Sequence, residues 1–532
     1  MFPGRAGKAK ALVFLSVTLK VIVIVFLLAW FGAQLAEKID LTTADLGRHI
    51  TNGRIILHGS MEEKIAALNT NFYSYTLPDE KFVNHHWLSG VIFYVLGQWQ
   101  GFGGLSVFYI LLGVLTLALF FFAAARAGNF WLAAFFSIFL MPLVSSRSEV
   151  RPEMFTYFFS ALFYVILSQW RAGKLKHKWL VPLPFFMLLW VNLHIGFVFG
   201  FLLLGAFGLE QLVKLLRGKP NGFIPLLIFA LLSALLALVN PFGYKALLYP
   251  LDIFKNYGYL IVENQSVRFL ENLGFGASQH FVLFKSAVAV CAGLLALWAA
   301  AAWRRVSWPD VILVAASGTM AYFGIRHFPS FALFALPFSA AAAARLLSWT
   351  RRHVAYRIMA FSAGALAAAA LLLPQWQALA DRGAKFGIGL LPGNSASAEF
   401  FLKNQIRGPV FNDYDIGGYL IYYLHPGEKV FVDNRPEAYT EDFFEKTYKA
   451  PQQDPDAWEK LDSQYHFNAI FFSHRDYTPW AQQFLISRIQ DENWVPVFAD
   501  SYNIIFIRKD KDNVKLIQKY YIPPENFKVV QP

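Results

Sequence analysis

Residues 105–153 read LSVFYILLGVLTLALFFFAAARAGNFWLAAFFSIFLMPLVSSRSEVRPE. Two apolar runs, 105–125 and 128–146, are broken only around Arg126 and end on a polar knot of Ser145, Ser146, Arg147, Ser148, Glu149, Arg151 and Glu153. Each run approaches the length needed to cross about 30 Å of hydrocarbon at about 1.5 Å per residue. In lipid each must satisfy its backbone internally, so the pair reads as a helical hairpin with charge gathered at one mouth. The same signature recurs near 11–34, 153–170, 194–216, 222–240, 281–303, 308–325, 328–346 and 355–374, with shorter runs at 87–99 and 179–191.

Composition agrees: 56% of the 532 residues are hydrophobic and only 15% charged, where soluble domains sit near about 25%. The net charge of +12 raises nucleic-acid binding, but the basic residues cluster in short loops between apolar runs, so no nucleic-acid partner is expected. One cysteine, Cys291, rules out a disulfide framework. Four basic clusters, around Lys174–Lys178, Lys214–Lys219, Arg304–Arg305 and Arg345–Arg357, share one side with the N-terminus if 179–191 spans and 87–99 only dips in from the other face. The expectation is a polytopic α-helical bundle of about 11 spans plus one short re-entrant or interfacial helix, with 36–86, 146–152 and 241–280 external.

Beyond about residue 375 Asp, Asn, Tyr and Pro return. The alternation predicts strands near 409–412, 429–432, 468–473, 495–499 and 503–508, and helices near 416–424, 440–449, 456–465 and 479–490. The chain therefore divides into a transmembrane domain, 1–374, with first external loop 36–86, and a soluble extracytoplasmic α/β domain, 375–532.

Polar groups collect at the outer face. Asp45, Arg48, His49 and Asn52 fall three or four apart, predicting an amphipathic helix resting at the membrane surface with Thr43 as N-cap. A local pairing of Asp45 with Arg48 or His49 is the plainer account of that carboxylate. His85 and His86 precede an apolar helix; adjacent residues diverge by about 100°, so the pair is a poor metal site. Arg147 and Arg151 stand against the positive-inside trend, which suits an anionic ligand, or a local Arg–Glu network fixing a turn. Asn192 and His194 interrupt two apolar runs, Asn240–Tyr244 caps another, and Arg326 with His327 ends a third.

Asp45-Leu-Gly-Arg-His-Ile50, Phe72-Tyr-Ser-Tyr-Thr76, His85-His-Trp-Leu88, Arg151-Pro-Glu153, Asn192-Leu-His-Ile-Gly196, Asn412-Asp-Tyr-Asp-Ile-Gly-Gly-Tyr-Leu420 and Val432-Asp-Asn-Arg435 together resemble the glycosyltransferase C superfamily, and within it a family of bacterial membrane proteins. The superfamily link rests on architecture and Asp45; the first loop lacks an Asp-x-Asp pair. The resemblance implies a multi-pass protein of the bacterial cytoplasmic membrane that moves a sugar from a polyprenyl-phosphate donor to an extracytoplasmic glycan, lipid or protein acceptor.

On that reading Asp45 is the catalytic carboxylate assisted by His49, since the acceptor hydroxyl must lose a proton. Arg147, Arg151, Arg48 and Arg326 hold the leaving phosphate. His85, His86, Asn192, His194 and Tyr244 line the pocket, and Asp413, Asp415, Asp433 and Arg435 face it to bind acceptor, with Asp415 capping the helix that follows. No metal ligands and no certain cofactor are assigned; a divalent cation stays open. A multispan transporter, an envelope ligase without a carboxylate base, and a non-enzymatic envelope receptor are the competing readings.

Overall fold

Each of the eleven expected spans coincides with a helix in the computed structural model, which describes residues 5–43, 45–252, 257–275, 278–348 and 354–528. Helix α1 covers Arg5–Leu35. Two short helices, α2 (Leu46–His58) and α3 (Met61–Asn69), follow in the first loop, and α4 runs Trp87–Ala127. The bundle continues with α5 (Phe130–Val144), α6 (Glu153–Arg171), α7 (Pro182–Leu193), α8 (Val198–Leu216) and α9 (Phe223–Ala237). After α10 (Tyr244–Asp252) and α11 (Val267–Asn272) come α12 (Gln279–Ala302), α13 (Trp308–Phe323), α14 (Phe328–Leu347) and α15 (Val354–Ala380), which passes the boundary expected at residue 374. Among the described residues six stretches, in α1, α4, α8, α12, α14 and α15, are long and apolar enough to cross a membrane by length and composition, and α5 and α9 are shorter apolar helices. This is a multi-pass membrane protein.

The 87–99 run is the first limb of α4, which breaks at Gly101 (φ 61°, ψ −164°), a conformation closed to residues with a Cβ. That limb packs along α2 at very short range: a Cβ on Gly53 would lie 2.1 Å from the Gly90 carbonyl oxygen, and one on Gly90 would lie 2.6 Å from that of His49. On its other side α2 meets the C-terminal region, where a Cβ on Gly47 would sit 2.8 Å from the Gly418 oxygen. The helix expected to rest on a membrane surface is therefore enclosed, with Arg48, His49, Thr51 and Asn52 all buried. Its N-cap is Asp45, which makes no side-chain capping bond; Thr43, expected there, reaches instead to the Asp40 carbonyl and Glu149.

The C-terminal region builds a four-stranded sheet from β1 (Val410–Asn412), β2 (Ala469–Ser473), β3 (Trp494–Ala499) and β4 (Asn503–Arg508), in the order β1-β2-β4-β3. Only β1 and β2 run parallel. Helices α16 (Ala396–Lys403) and α17 (Gly417–Leu424) flank it, with others at Pro455–Tyr465 and Pro479–Ile489. Residues 443–449 form a π-helical turn.

The segment 429–432, expected as a strand, pairs with the first loop: Val430 N–H donates to Tyr73 and Tyr75 N–H to Val430, both at 3.1 Å. Its other edge is held by the Asn412 side chain, which accepts from Phe431 N–H and donates to the Val432 carbonyl. First loop and C-terminal region are thus one packed unit. Asn71 ties into it by accepting from Arg435 at 2.6 Å, a fully buried guanidinium that also clasps Asp433 and lies over the Phe82 ring.

Candidate active site

Between the bundle, the first loop and the C-terminal region lies a cavity of about 380 Å³, lined by Asp45, Arg48, His85, His86, Arg151, His194, Glu263, Arg326, Tyr414, Asp415, Asn434 and Glu437, among others. Asp45 enters at the N-terminus of α2. Its Oδ2 accepts from Arg48 at 3.2 Å and meets His49 Nε2 at 3.1 Å, while Oδ1 is shut off from solvent and has no hydrogen-bond partner among the described residues. Enclosure alone would raise this carboxyl; attraction to His49, then to Arg151 and Arg48, overrides it and holds the group well below the usual carboxylate range.

His49 is fully buried, and that burial lowers its affinity for a proton more than Asp45 restores it. The ring meets Asp45 through Nε2, and its Nδ1 has no hydrogen-bond partner among the described residues. Its edge meets His86 at 5.1 Å between centroids, and His86 stacks on His194 at 5.1 Å. His194 sits at the break between α7 and α8, where its Nδ1 accepts from Gly196 N–H and meets the Thr156 hydroxyl at 2.6 Å, so its remaining nitrogen is the donor. Half-buried His85 is pushed down to about 3 by desolvation and packs on Tyr249.

The arginines form an alternating chain with three glutamates. Arg147 pairs with Glu153 (3.1 Å) and Glu263 (2.6 Å), Arg151 with Glu149 (2.6 Å) and Glu263 (3.1 Å), and Arg326 with Glu153 (2.8 Å). Arg326 also donates to Asn264 at 2.9 Å. Arg147 lies behind the cavity wall and touches it through Glu263; Arg151, Arg326 and Arg48 line it. The local Arg–Glu network considered for 145–153 exists, but it extends across the fold. Burial opposes ionisation of Glu263, and Arg151 and Arg147 outweigh it and lower its pKa.

Several expected site residues lie elsewhere. Tyr244 is 64% exposed at the start of α10 and away from the cavity; Tyr249, Tyr257 and Tyr259 take that wall instead. Asn192 is a structural clamp, accepting from Trp87 and donating to the Leu188 and Val239 carbonyls. Asp413, fully buried, accepts from the backbone of Ile416 and Ser473, and is the residue that steadies the start of α17, a task expected of Asp415. Asp433 and Arg435 close on each other away from the cavity. Of the four acceptor candidates only Asp415 lines it. The surrounding wall, then Asp476, pushes that carboxyl up to about 7, although its side chain stays open to the cavity.

Glu263, Asn434 and Glu437 were not anticipated. Asn434 stands in the quoted Val432–Arg435 string, between two residues that turn inward. Glu263 carried no local signal, because its partners are more than a hundred residues away. Among the described residues no three His, Cys, Asp or Glu side chains converge as a metal set. Asp45 is shared between a guanidinium and an imidazole, and Glu149, Glu153 and Glu263 face arginines.

The sequence matches no family model and no curated protein. Solved structures do match. The Archaeoglobus fulgidus oligosaccharyltransferase tethered with an acceptor peptide is 12% identical over 93% of this chain and 74% of its own, with a TM-score of 0.57. The same enzyme in complex with Zn and sulfate is 11% identical, covers 91% and 73%, and has a TM-score of 0.53. ArnT from Cupriavidus metallidurans bound to undecaprenyl phosphate is 14% identical over 92% and 97%, at a TM-score of 0.48. With a multispan bundle, helices in the first loop and a C-terminal α/β region in place, the chain shares the fold of that oligosaccharyltransferase.

Proposed function

We propose that the chain transfers a sugar from a polyprenyl-phosphate donor to a hydroxyl-bearing acceptor at the extracytoplasmic face of the bacterial cytoplasmic membrane, where the 36–86 loop and the region beyond 375 would lie. One observation carries this reading: the carboxylate residue Asp45 lines a cavity whose other walls bring Arg48, Arg151 and Arg326. In the reaction the acceptor oxygen forms a bond to the anomeric carbon as the bond from that carbon to the phosphate oxygen breaks. The acceptor proton passes to Asp45, and the electron pair leaves with polyprenyl phosphate. A carboxylate held this acidic is a weak base, so Asp45 orients the hydroxyl and takes its proton late, as the glycosidic bond is already forming. Arg48 and His49 hold the Asp45 carboxylate in place through Oδ2.

Arg151 and Arg326 receive the leaving phosphate, with Arg147 supporting through Glu263. Glu263 occupies Arg151 and Glu153 occupies Arg326, so donor binding exchanges Glu263 for phosphate on Arg151. Asp415, Asn434 and Glu437 form the acceptor wall. Transfer from a polyprenyl-phosphate sugar, measured on purified wild type and Asp45→Asn, tests the assignment. Full activity in the variant would remove it in favour of a receptor or transporter.

A further inference from the structure

On the outward side of the bundle, α1 and α15 form an apolar groove of about 550 Å³ lined by Phe26, Trp30, Ala33, Trp376 and Phe386. Few residues of these two helices are buried, so the groove opens toward lipid. Its shape is held: Trp30 and Trp376 stack at 5.9 Å, and Trp30 donates to Gln375 at 3.1 Å.

Beyond Phe386 the groove turns polar. The chain leaving α1 pairs with the chain leaving α15, with Glu37 opposite Phe386 and Lys38 N–H donating to Lys385 at 2.8 Å. Lys38 and Lys385 flank a second cavity of about 220 Å³, with Glu37, Asp40 and Glu149 on its walls. Thr43 lines this cavity and the catalytic one alike, two residues from Asp45. Neither lysine makes an ion pair among the described residues.

We propose that groove and second cavity together bind an anionic lipid with a hydroxyl-bearing headgroup, which presents a hydroxyl to Asp45 as the acceptor; this rests on the transferase reading above. The aromatic groove takes the acyl chain, and the two free ammonium groups take the headgroup's negative charge. The carboxylates suit hydroxyls: Asp40 already accepts from Thr42 Oγ1 at 2.6 Å, and Glu37 from Ser148.

Native mass spectrometry of the full chain in detergent, titrated with phosphatidylglycerol and with phosphatidylcholine of equal chain length, tests the site. Phosphatidylglycerol should bind at least about tenfold more tightly. Lys38→Gln with Lys385→Gln should abolish that preference, and Ala33→Trp, which fills the groove, should weaken binding itself. Equal affinities in the wild type, or a preference that survives both lysine changes, would overturn the proposal. Asp45→Asn should bind the lipid normally. Selective lipid binding with transfer unaffected by Asp45→Asn would sink the transferase reading and spare the lipid site; Asp45-dependent transfer without lipid selectivity would do the reverse.

Discussion

Two Asp–Arg pairs, Asp433–Arg435 and Asp45–Arg48, look alike in sequence and differ in what they leave open. Asp433 Oδ1 accepts from the Arg435 backbone and Nε, and Oδ2 from the guanidinium and Tyr439. Arg435 in turn reaches Asn71 and lies over Phe82. Every polar atom of that carboxylate is used, with no face left for a substrate. Asp45 uses one oxygen on Arg48 and His49, leaves the other without a hydrogen-bond partner among the described residues, and itself lines a cavity. Saturation of hydrogen bonding, rather than residue type or charge, separates a clamp from a working group.

The contrast breaks most visibly on stability. Arg435→Met leaves Asp433 buried and unpaired, a loss of about 3–5 kcal/mol, and should lower the thermal unfolding midpoint sharply. Residual transfer should fall only with the amount of folded protein. Asp45→Asn, which retains an acceptor for Arg48 and His49, should unfold close to wild type yet lose about 10²-fold or more in transfer rate. A variant of Asp45 that behaved like one of Arg435 would erase the distinction.

Smaller effects sharpen it. Arg151→Lys keeps charge but loses the fork, and should weaken donor binding by about tenfold with a lesser change in kcat. Glu263→Gln withdraws a carboxylate that competes with phosphate for Arg147 and Arg151, so binding of a polyprenyl phosphate should tighten severalfold, about 1 kcal/mol or less; weaker binding would show that Glu263 preorganises the arginines instead.

The pH effect should be the smallest. Asp415 has its folded pKa raised, so its contribution is complete below the unfolded value near 4 and is lost as pH rises through about 7. Its exposure to the cavity keeps the energy modest. The unfolding midpoint should decline gently from about pH 4 to about pH 7, and Asp415→Asn should flatten that part of the profile.

The linear order of helices was legible because burial in lipid demands long apolar runs, and four of the five strands followed from alternation. Segment 429–432 misled because its partners, Tyr73 and Tyr75, belong to the first loop. Asp45, Arg48 and His49 were legible as a cluster, since helical spacing of three and four brings their side chains together. Asp433 and Arg435 read as equally promising because a sequence shows charge without showing saturation.

By itself the sequence determined a multispan helical chain with an α/β C-terminal region and an Asp45-centred polar group, since periodicity and apolar length are local properties. Only the tertiary structure decided that α2 is enclosed between α4 and α17, that Glu263 occupies the arginine forks, and that Asn192 and Tyr244 stand outside the cavity. Those outcomes depend on contacts between residues far apart in the chain, and on which buried polar atoms find partners, which no local pattern encodes.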